Sequence, residues 1–164
     1  MKPIEQIPKG TVRAIFSDLD DTLTIDGRLP AKVIEAFDQL KENGFWLVIV
    51  SGRPAGWADC LMRLFPLDAM IFENGAGLMI RDGKKVLAHN LASVESLQDQ
   101  HKRLSAIFAD LQKAVPHLRL ATDQFYRLFD FAIDICEEPP HLSDTEVGLI
   151  LKRLDAENDL TAKL

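Results

Sequence analysis

Short apolar runs alternate with amphipathic segments along the first part of the chain. Apolar runs of strand length occupy residues 12–17, 45–50 and 69–72. Between them, residues 31–43 and 54–65 carry apolar side chains at helical spacing, with prolines where they begin and Gly44 after the first. Strands that alternate with helices predict a parallel sheet with right-handed crossovers. In such a sheet, ligands bind beyond the carboxyl ends of the strands.

Beyond the third apolar run, the pattern becomes that of mixed α+β structure. Two short apolar arms, residues 78–80 and 86–88, surround a glycine and predict a β-hairpin. Residues 93–114 have the apolar spacing of a long helix, and residues 129–135 alternate as a strand does. Ser143 then begins a capping box before a last helix.

These elements predict an α/β fold in two parts. Residues 1–73 are expected to form the first half of a Rossmann-like core with a parallel sheet, and residues 74–164 the beginning of an α+β cap. An exposed edge of the sheet would allow homo-oligomers to form.

Composition and charge narrow the class of protein. Hydrophobic residues make up 47% of the 164-residue chain and charged residues 27%, as in ordinary globular proteins. The formal net charge of -6 gives no electrostatic basis for binding nucleic acid. No apolar run is long enough to span a bilayer, and the N-terminus lacks the apolar core of a secretory segment. A cytoplasmic protein without a membrane partner is therefore expected.

The cysteines, histidines and tryptophans indicate no further chemistry. Cys60 and Cys136 lie far apart without CxxC spacing, so two reduced and buried thiols are expected. The four histidines are scattered, without the spacing of a zinc site. Packing is the simplest interpretation of Trp46 and Trp57, which fall in a predicted strand and a predicted helix.

Two aspartates follow the first apolar run without a gap. Side chains alternate in extended structure, so Asp18 and Asp20 would project to the same side of the chain. Carboxylates held so close repel each other unless a cation lies between them. Hard oxygen ligands suit Mg²⁺, which prefers one or two carboxylates together with a substrate phosphate. The alternative is an acidic turn in which Asp21 or Thr22 caps the next segment.

A second polar cluster ends the second apolar run, with the sequence Ser51-Gly52-Arg53-Pro54. Glycine lets backbone amides approach a phosphate, and a helix N-terminus presents free N–H groups to it. The alternative is a serine that caps the helix beside a turn glycine. Arg53 could reach a substrate or form an ion pair at the surface.

The stretch formed by residues 16–23, FSDLDDTL, resembles the first motif of the haloacid dehalogenase-like hydrolases, Asp-x-Asp-x-Thr after an apolar strand. The resemblance implies that Asp18 is a nucleophile that forms an aspartyl-phosphate and that Asp20 is the general acid and base. It also implies Mg²⁺ as cofactor, with the Asp18 carboxylate and the Asp20 backbone carbonyl as metal ligands. Thr22 would hold Asp20 in place or cap the turn.

Two further stretches resemble the same family. Ser51 corresponds to the second motif, a Ser or Thr that hydrogen-bonds the phosphoryl group, and together with Gly52, Arg53 and Thr22 it forms the expected substrate-binding set. Residues 72–76, FENGA, are similar to the junction before a large α/β cap in trehalose-, sucrose- and mannosyl-3-phosphoglycerate phosphatases. The resemblance implies a phosphatase that acts on a sugar phosphate or a similar small phosphorylated metabolite.

Two later parts of the family pattern have no counterpart in the sequence, namely a third-motif lysine and an acidic fourth motif. Residues 155–159 match the acids superficially, but they follow a stretch that has helical spacing. The chain is therefore expected to be truncated, and a fragment without turnover is the main alternative to a phosphatase. A phosphomutase is a further alternative. A phospho-receiver fits less well, because its acceptor aspartate ends the third strand, where this chain has Glu73 and Asn74.

Overall fold

The computed structural model of the protein describes residues 6, 8, 10–90 and 93–157. These residues divide into two compact units. The first comprises residues up to 93 together with 126–128, and the second comprises 94–125 and the residues from 129 onward. Within the described ranges, no helix combines the length and the apolar character that crossing a bilayer requires.

Five strands form one sheet among the described residues of the first unit. They are β1 (Ala14–Ser17), β2 (Trp46–Val50), β3 (Ala69–Phe72), β4 (Gly77–Asp82) and β5 (Lys85–Asn90), and they lie side by side in this order. The first three strands are parallel, whereas β4 and β5 run antiparallel to their neighbours. The α/β, Rossmann-like class predicted from the sequence is confirmed, and the three parallel strands fall within the predicted apolar runs.

Two helices connect the parallel strands. α1 (Ala31–Glu42) lies against β2, and α2 (Ala55–Leu64) lies against β3, β4 and β5. Gly44 ends α1 with a φ of 78°, a left-handed angle that glycine adopts without strain. The helices and the sheet bury a common set of apolar side chains, which includes Phe37, Leu47, Ile49, Ala58, Met62, Leu67, Met70 and Phe72. This core holds β2 firmly, so the polar residues that follow its carboxyl end have a fixed base.

The β4–β5 hairpin extends the core sheet. β4 pairs with β3 from Phe72 opposite Gly77 to Ala69 opposite Ile80, and β5 continues the ladder. The first compact unit therefore reaches residue 93, whereas the cap was predicted to begin at residue 74. The start of the cap remains a prediction, because compactness alone does not define a point of insertion.

A glycine is needed at position 77 because Phe72 fills the space beside it. A Cβ there would lie 2.2 Å from Cζ of Phe72, a fully buried side chain. We expect Gly77→Ala to lower the free energy of unfolding by about 2 kcal/mol, because the core cannot accept the added carbon. Denaturant titration measures the effect.

Gly148→Ala is the control for this substitution. Nothing lies within 4 Å of its Cβ position. Because residue 148 lies within a helix, the higher helix propensity of alanine should raise stability by about 0.5–1 kcal/mol. An unchanged denaturation midpoint for Gly77→Ala would contradict the packing argument.

Two α-helices lie in the described part of the second unit, α3 (Val94–Ala114) and α4 (Asp144–Asp155), and both were predicted. A cluster of buried side chains packs between them, formed by Ile107, Leu111, Val115, Leu118 and Ile150. The predicted capping box is confirmed, because the Ser143 side chain accepts from the Glu146 N–H and the Glu146 carboxylate accepts from the Ser143 N–H. Asp155 ends α4, whereas Asn158 and Asp159 lie outside the described residues.

The strand predicted over residues 129–135 is wrong. This stretch forms one isolated bridge, at Ile133, among the described residues. The backbone pairs with residues 119–121 at this bridge alone, through the bonds from the Ala121 N–H to the Ala132 carbonyl and from the Asp134 N–H to the Arg119 carbonyl. Beside the bridge, the Gln124 amide binds the backbone instead, since its Oε1 accepts from the Ala132 N–H and its Nε2 donates to the Asp130 carbonyl.

Three side chains that were expected to be buried are exposed. Cys60 and Cys136 both lie at the surface. Trp46 is 56% exposed although it belongs to β2. Its partner in the register is Ala14 of β1, whose small side chain covers little of the indole.

Asp134 is a buried carboxylate in the second unit. It accepts from the Glu137 N–H at 2.8 Å and from Nε of Arg119 at 3.0 Å. Burial raises the pKa of Asp134, but the hydrogen bonds and the charge of Arg119 outweigh burial, so the pKa lies below its usual value.

The Asp134 carboxylate should make stability depend on pH. Its pKa is lower in the folded chain than the value of about 3.9 for an unfolded aspartate, so the unfolded state holds the proton more tightly. The contribution to stability is therefore complete above the unfolded pKa and disappears as the pH falls through the folded pKa. We expect the thermal midpoints of the parent chain and Asp134→Asn to converge as the pH is lowered from about 6 to about 3.

Asp99→Asn serves as the control, because that carboxylate is exposed and its partner among the described residues is a neighbouring lysine on α3. Its thermal midpoint should follow that of the parent chain throughout. A constant difference between the parent chain and Asp134→Asn over this range would contradict the assignment.

Candidate active site

The carboxyl ends of β1 and β2 meet at one edge of the sheet. Ser17, the last residue of β1, lies opposite Ile49 of β2. Asp18 follows β1 directly and Ser51 follows β2 directly. Parallel pairing therefore places the two polar clusters side by side.

An ion pair joins the two clusters. Nε of Arg53 donates to both carboxylate oxygens of Asp20 at 3.1 Å, and Nη2 donates to Oδ1 at 2.9 Å. Ser51 Oγ lies 3.5 Å from Oδ2 of Asp20, which is the outer limit of a hydrogen bond. Both members of the ion pair are partly exposed, so water weakens their attraction. The structure thus brings Asp20, Ser51 and Arg53 together.

Asp18 is exposed at the end of β1. Ser17 Oγ donates to its backbone carbonyl at 2.9 Å. Its carboxylate, in contrast, receives no hydrogen bond and forms no ion pair among the described residues. A carboxylate in this state is available to a cation or to an electrophile.

The turn after β1 is closed by Thr24. The Thr24 hydroxyl accepts from the Asp21 N–H at 3.1 Å and donates to the Leu19 carbonyl at 3.2 Å. Thr22 is exposed and makes no side-chain hydrogen bond within the part of the chain that the structure describes. The turn-closing role considered for Thr22 therefore belongs to Thr24, and a contact between Thr22 and a substrate remains a prediction.

Ser51 is buried in the loop that leads into α2. Its N–H donates to the Ile71 carbonyl at 3.0 Å, and its Oγ accepts from the Arg53 N–H at 3.1 Å. The residue that precedes the first turn of α2 is Pro54, which provides no side-chain cap. Ser51 is thus a residue of the loop, and the alternative interpretation of this serine as a helix cap is wrong.

Trp57 supports Arg53 from the first turn of α2. The Arg53 guanidinium carbon lies 4.9 Å from the centre of the indole ring. Such a cation–π contact orients the guanidinium while Trp57 itself stays 40% exposed. Trp57 therefore does more than pack in the helix, because its ring also contacts the Arg53 guanidinium.

Glu73 is a buried carboxylate whose role the sequence did not disclose. It is 1% exposed, and its Oε1 accepts from the N–H groups of Ala55 at 2.8 Å and Leu128 at 2.9 Å. Its own N–H donates to the Arg53 carbonyl at 3.1 Å. A negative charge is favoured at the N-terminus of a helix, where Ala55 begins α2. Glu73 thus connects the start of α2, the loop before it and residue 128.

The turn that carries Glu73 has left-handed backbone angles. The φ values are 48° for Glu73, 55° for Asn74 and 98° for Gly75. The Asn74 side chain packs against the loop between β2 and α2, since a Cβ on Gly52 would lie 3.2 Å from Oδ1 of Asn74. The tight turn considered for Asn74 and Gly75 is therefore present, and it also supports the neighbouring loop.

Residues 126–128 return to this loop from a distant part of the sequence. Nη1 of Arg127 donates to the Gly52 carbonyl at 3.0 Å, across 75 residues. Tyr126 packs on Gly56, where a Cβ would lie 2.9 Å from Cβ of the tyrosine. Sequence reasoning missed these residues, because neither a motif nor a periodic pattern marks them.

The donor set fits a hard cation in part. The Asp18 carboxylate lacks a protein partner, and no N–H of the described residues donates to the Asp20 carbonyl. These are the two groups that the family resemblance implied as ligands of Mg²⁺. This ion keeps several waters and needs few protein ligands. A group of three carboxylate, histidine or cysteine side chains that could hold a metal is absent from the described part of the chain.

The chain belongs to the haloacid dehalogenase-like hydrolases, whose family profile matches residues 15–127. The matched region contains both polar clusters, the turn at Glu73 and residues 126–127. Among curated proteins, nothing matches the chain.

Solved structures show the same fold at low sequence identity. The Thermoplasma acidophilum 0175 protein is 16% identical, with a TM-score of 0.65 over 89% of this chain and 58% of its own. The C-terminal domain of C. albicans trehalose-6-phosphate phosphatase is 19% identical, with a TM-score of 0.62 over 88% of this chain and 50% of its own. IMP-bound, N-terminally truncated IMP-nucleotidase of Plasmodium falciparum is 10% identical, with a TM-score of 0.55 over 93% of this chain and 48% of its own. The chain thus spans about half of each of these structures.

Removal of the Glu73 carboxylate should destabilise the first unit. Glu73→Ala leaves the buried Ala55 N–H without an acceptor and removes the partly buried bond from the Leu128 N–H, and we expect it to lower the free energy of unfolding by about 3 kcal/mol. Glu73→Gln keeps an oxygen acceptor at the same place and should cost less. Amide hydrogen exchange at Ala55 and Leu128 should be faster in Glu73→Ala than in Glu73→Gln, and equal exchange in the two variants would exclude the proposed hydrogen bonds.

Proposed function

We propose that this chain carries the nucleophile and the phosphoryl-binding loop of a Mg²⁺-dependent phosphatase that hydrolyses a small phosphomonoester. One observation carries the proposal: Asp20, Ser51 and Arg53 meet at the sheet edge where the Asp18 carboxylate has no partner among the described residues. Family membership supports the same chemistry, since residues 15–127 match a family of hydrolases.

Asp18 is the proposed nucleophile. Its carboxylate oxygen attacks phosphorus, the bond from phosphorus to the ester oxygen breaks, and an aspartyl-phosphate forms. Asp20 gives its proton to the departing oxygen and later removes a proton from the water that hydrolyses the aspartyl-phosphate. Asp18 is then regenerated and inorganic phosphate leaves.

The loop after β2 is proposed to hold the phosphoryl group. The Ser51 hydroxyl donates to a phosphoryl oxygen, and the absence of a side chain at Gly52 lets the backbone of the loop approach closely. The Arg53 guanidinium, which holds Asp20 in the structure, can bind a phosphoryl group in the same bidentate manner. Thr22, on the exposed turn beside Asp20, completes the proposed set of contacts.

The Asp18 carboxylate and the Asp20 carbonyl would hold Mg²⁺, which supplies positive charge that neutralises phosphoryl oxygens. Without that charge, an anionic nucleophile and an anionic substrate repel each other. The two protein oxygens account for part of a coordination shell, and water or substrate oxygens can fill the rest.

A sugar phosphate is the proposed substrate class. Two observations support it: the FENGA sequence at residues 72–76 is similar to the cap junction of sugar phosphatases, and the fold matches a trehalose-6-phosphate phosphatase domain. The fold also matches an IMP-nucleotidase, and a phosphomonoester is the chemistry common to both. A small phosphorylated metabolite is therefore the proposed partner.

A fragment without turnover is the second candidate. It is favoured because the chain spans about half of the structures it resembles and because its described residues offer no three-ligand metal site. Such a fragment would still bind phosphate and Mg²⁺ through the residues named above. Turnover, rather than binding, separates the two candidates.

Substitution of the nucleophile tests the proposal. We expect this chain to hydrolyse p-nitrophenyl phosphate feebly or not at all, and a chain lengthened to the span of its relatives to hydrolyse it in the presence of Mg²⁺. In the lengthened chain, Asp18→Asn should lower kcat by about a thousandfold or more, because an amide is a poor nucleophile.

Asp38→Asn, an exposed carboxylate on α1, is the control and should leave kcat unchanged. Full activity of Asp18→Asn would contradict the nucleophile assignment. Rapid Mg²⁺-dependent hydrolysis by the chain of 164 residues would exclude the fragment hypothesis.

A further inference from the structure

We propose that Arg127 is a positioning residue that orients the Ser51 hydroxyl through the peptide group between Gly52 and Arg53. The inference rests on the proposed function, because it assigns to Ser51 the binding of a phosphoryl group. It adds a residue that lies outside every motif in the sequence.

The peptide group between Gly52 and Arg53 links the two side chains. Its carbonyl accepts from Nη1 of Arg127 at 3.0 Å, and its N–H donates to Ser51 Oγ at 3.1 Å. A trans peptide is planar, and its C=O and N–H bonds point in opposite directions. The guanidinium that fixes the carbonyl therefore also fixes the direction in which the Arg53 N–H points.

The direction of the Arg53 N–H determines what the Ser51 hydroxyl can do. A hydroxyl has one proton to donate and two lone pairs that accept. Because the Arg53 N–H donates to a lone pair of Oγ, the hydroxyl proton must point away from that N–H. Among the described residues it is directed at Oδ2 of Asp20, which is 3.5 Å away, too far for a strong bond. The proton is thus ready for a phosphoryl oxygen that arrives beside Asp20.

The residues before and after Arg127 both contact the rest of the first unit. Tyr126 packs on Gly56 at the start of α2, and the Leu128 N–H donates to the buried Oε1 of Glu73. The backbone of residue 127 is therefore anchored to the same helix start that its side chain serves. A side chain attached to an anchored backbone loses little further entropy when it binds the Gly52 carbonyl.

The test is a double-mutant cycle read by phosphate binding. The probe is inorganic phosphate with MgCl₂, titrated into the ¹⁵N-labelled full chain and followed through the backbone amide resonances of Gly52 and Arg53. We expect Arg127→Met to weaken phosphate binding about fivefold to tenfold, the equivalent of one hydrogen bond. In a Ser51→Ala background, the same substitution should change the affinity less than twofold, because the group that Arg127 orients is gone.

Two further variants separate this role from charge and from folding. Arg63→Met removes the same charge from an exposed arginine of α2 and should leave phosphate affinity unchanged. Arg127→Lys keeps the charge and a donor, and it should restore most of the affinity that Arg127→Met loses. Thermal unfolding of every variant confirms that the compared chains are folded.

Each outcome decides the inference. Additive losses from Arg127→Met and Ser51→Ala, or equal losses in Arg127→Lys and Arg127→Met, would overturn the positioning role while leaving the proposed function intact. An affinity of Arg127→Met equal to that of the parent chain would do the same. Failure of the parent chain to bind phosphate at all would overturn the proposed function and the inference together.

Discussion

Oε1 of Glu73 accepts hydrogen bonds from Ala55 and Leu128, two residues that are distant in the sequence. The buried Ala55 N–H needs an acceptor, so this oxygen fixes the start of α2 and also holds residue 128. Its position depends in turn on the left-handed turn that follows β3 and on the bond from its own N–H to the Arg53 carbonyl. Glu73 therefore holds the loop between β2 and α2 at both ends of its own residue, through the side chain at Ala55 and through the backbone at Arg53.

One guanidinium at the site has two anionic partners. In the structure, Arg53 holds the Asp20 carboxylate and rests on Trp57. Under the proposed function, a phosphoryl group competes with Asp20 for the same donors. Arrival of substrate would then release the carboxylate that has to exchange protons, so binding and proton transfer would be coupled by geometry. The modest strength of a partly exposed ion pair suits such an exchange.

Local patterns predicted the sheet edge but not the contacts that complete it. The spacing of the apolar runs placed Asp18 and Ser51 after neighbouring strands, because strand and helix periods are properties of adjacent residues. Arg127 gave no signal, since its partner is 75 residues away and a hydrogen bond to a backbone carbonyl leaves no mark on the sequence. Residues 129–135 misled for the same reason: their alternation is local, whereas the length of their pairing depends on residues 119–121 and on the Gln124 amide. The sequence pattern also could not show that Thr24, rather than Thr22, closes the turn after β1.

The position of β1 at the end of the sheet has a consequence for how Asp18, the proposed nucleophile, is held. Among the described strands, β1 has β2 alone as a neighbour, and it is four residues long with Phe16 65% exposed. A short strand with one ladder and an uncovered apolar ring can separate from its neighbour at a lower free energy than a strand paired on both sides. Asp18 thus follows the parallel strand with the lowest resistance to local opening, whereas the proposed phosphoryl-binding loop follows β2, which is paired on both sides.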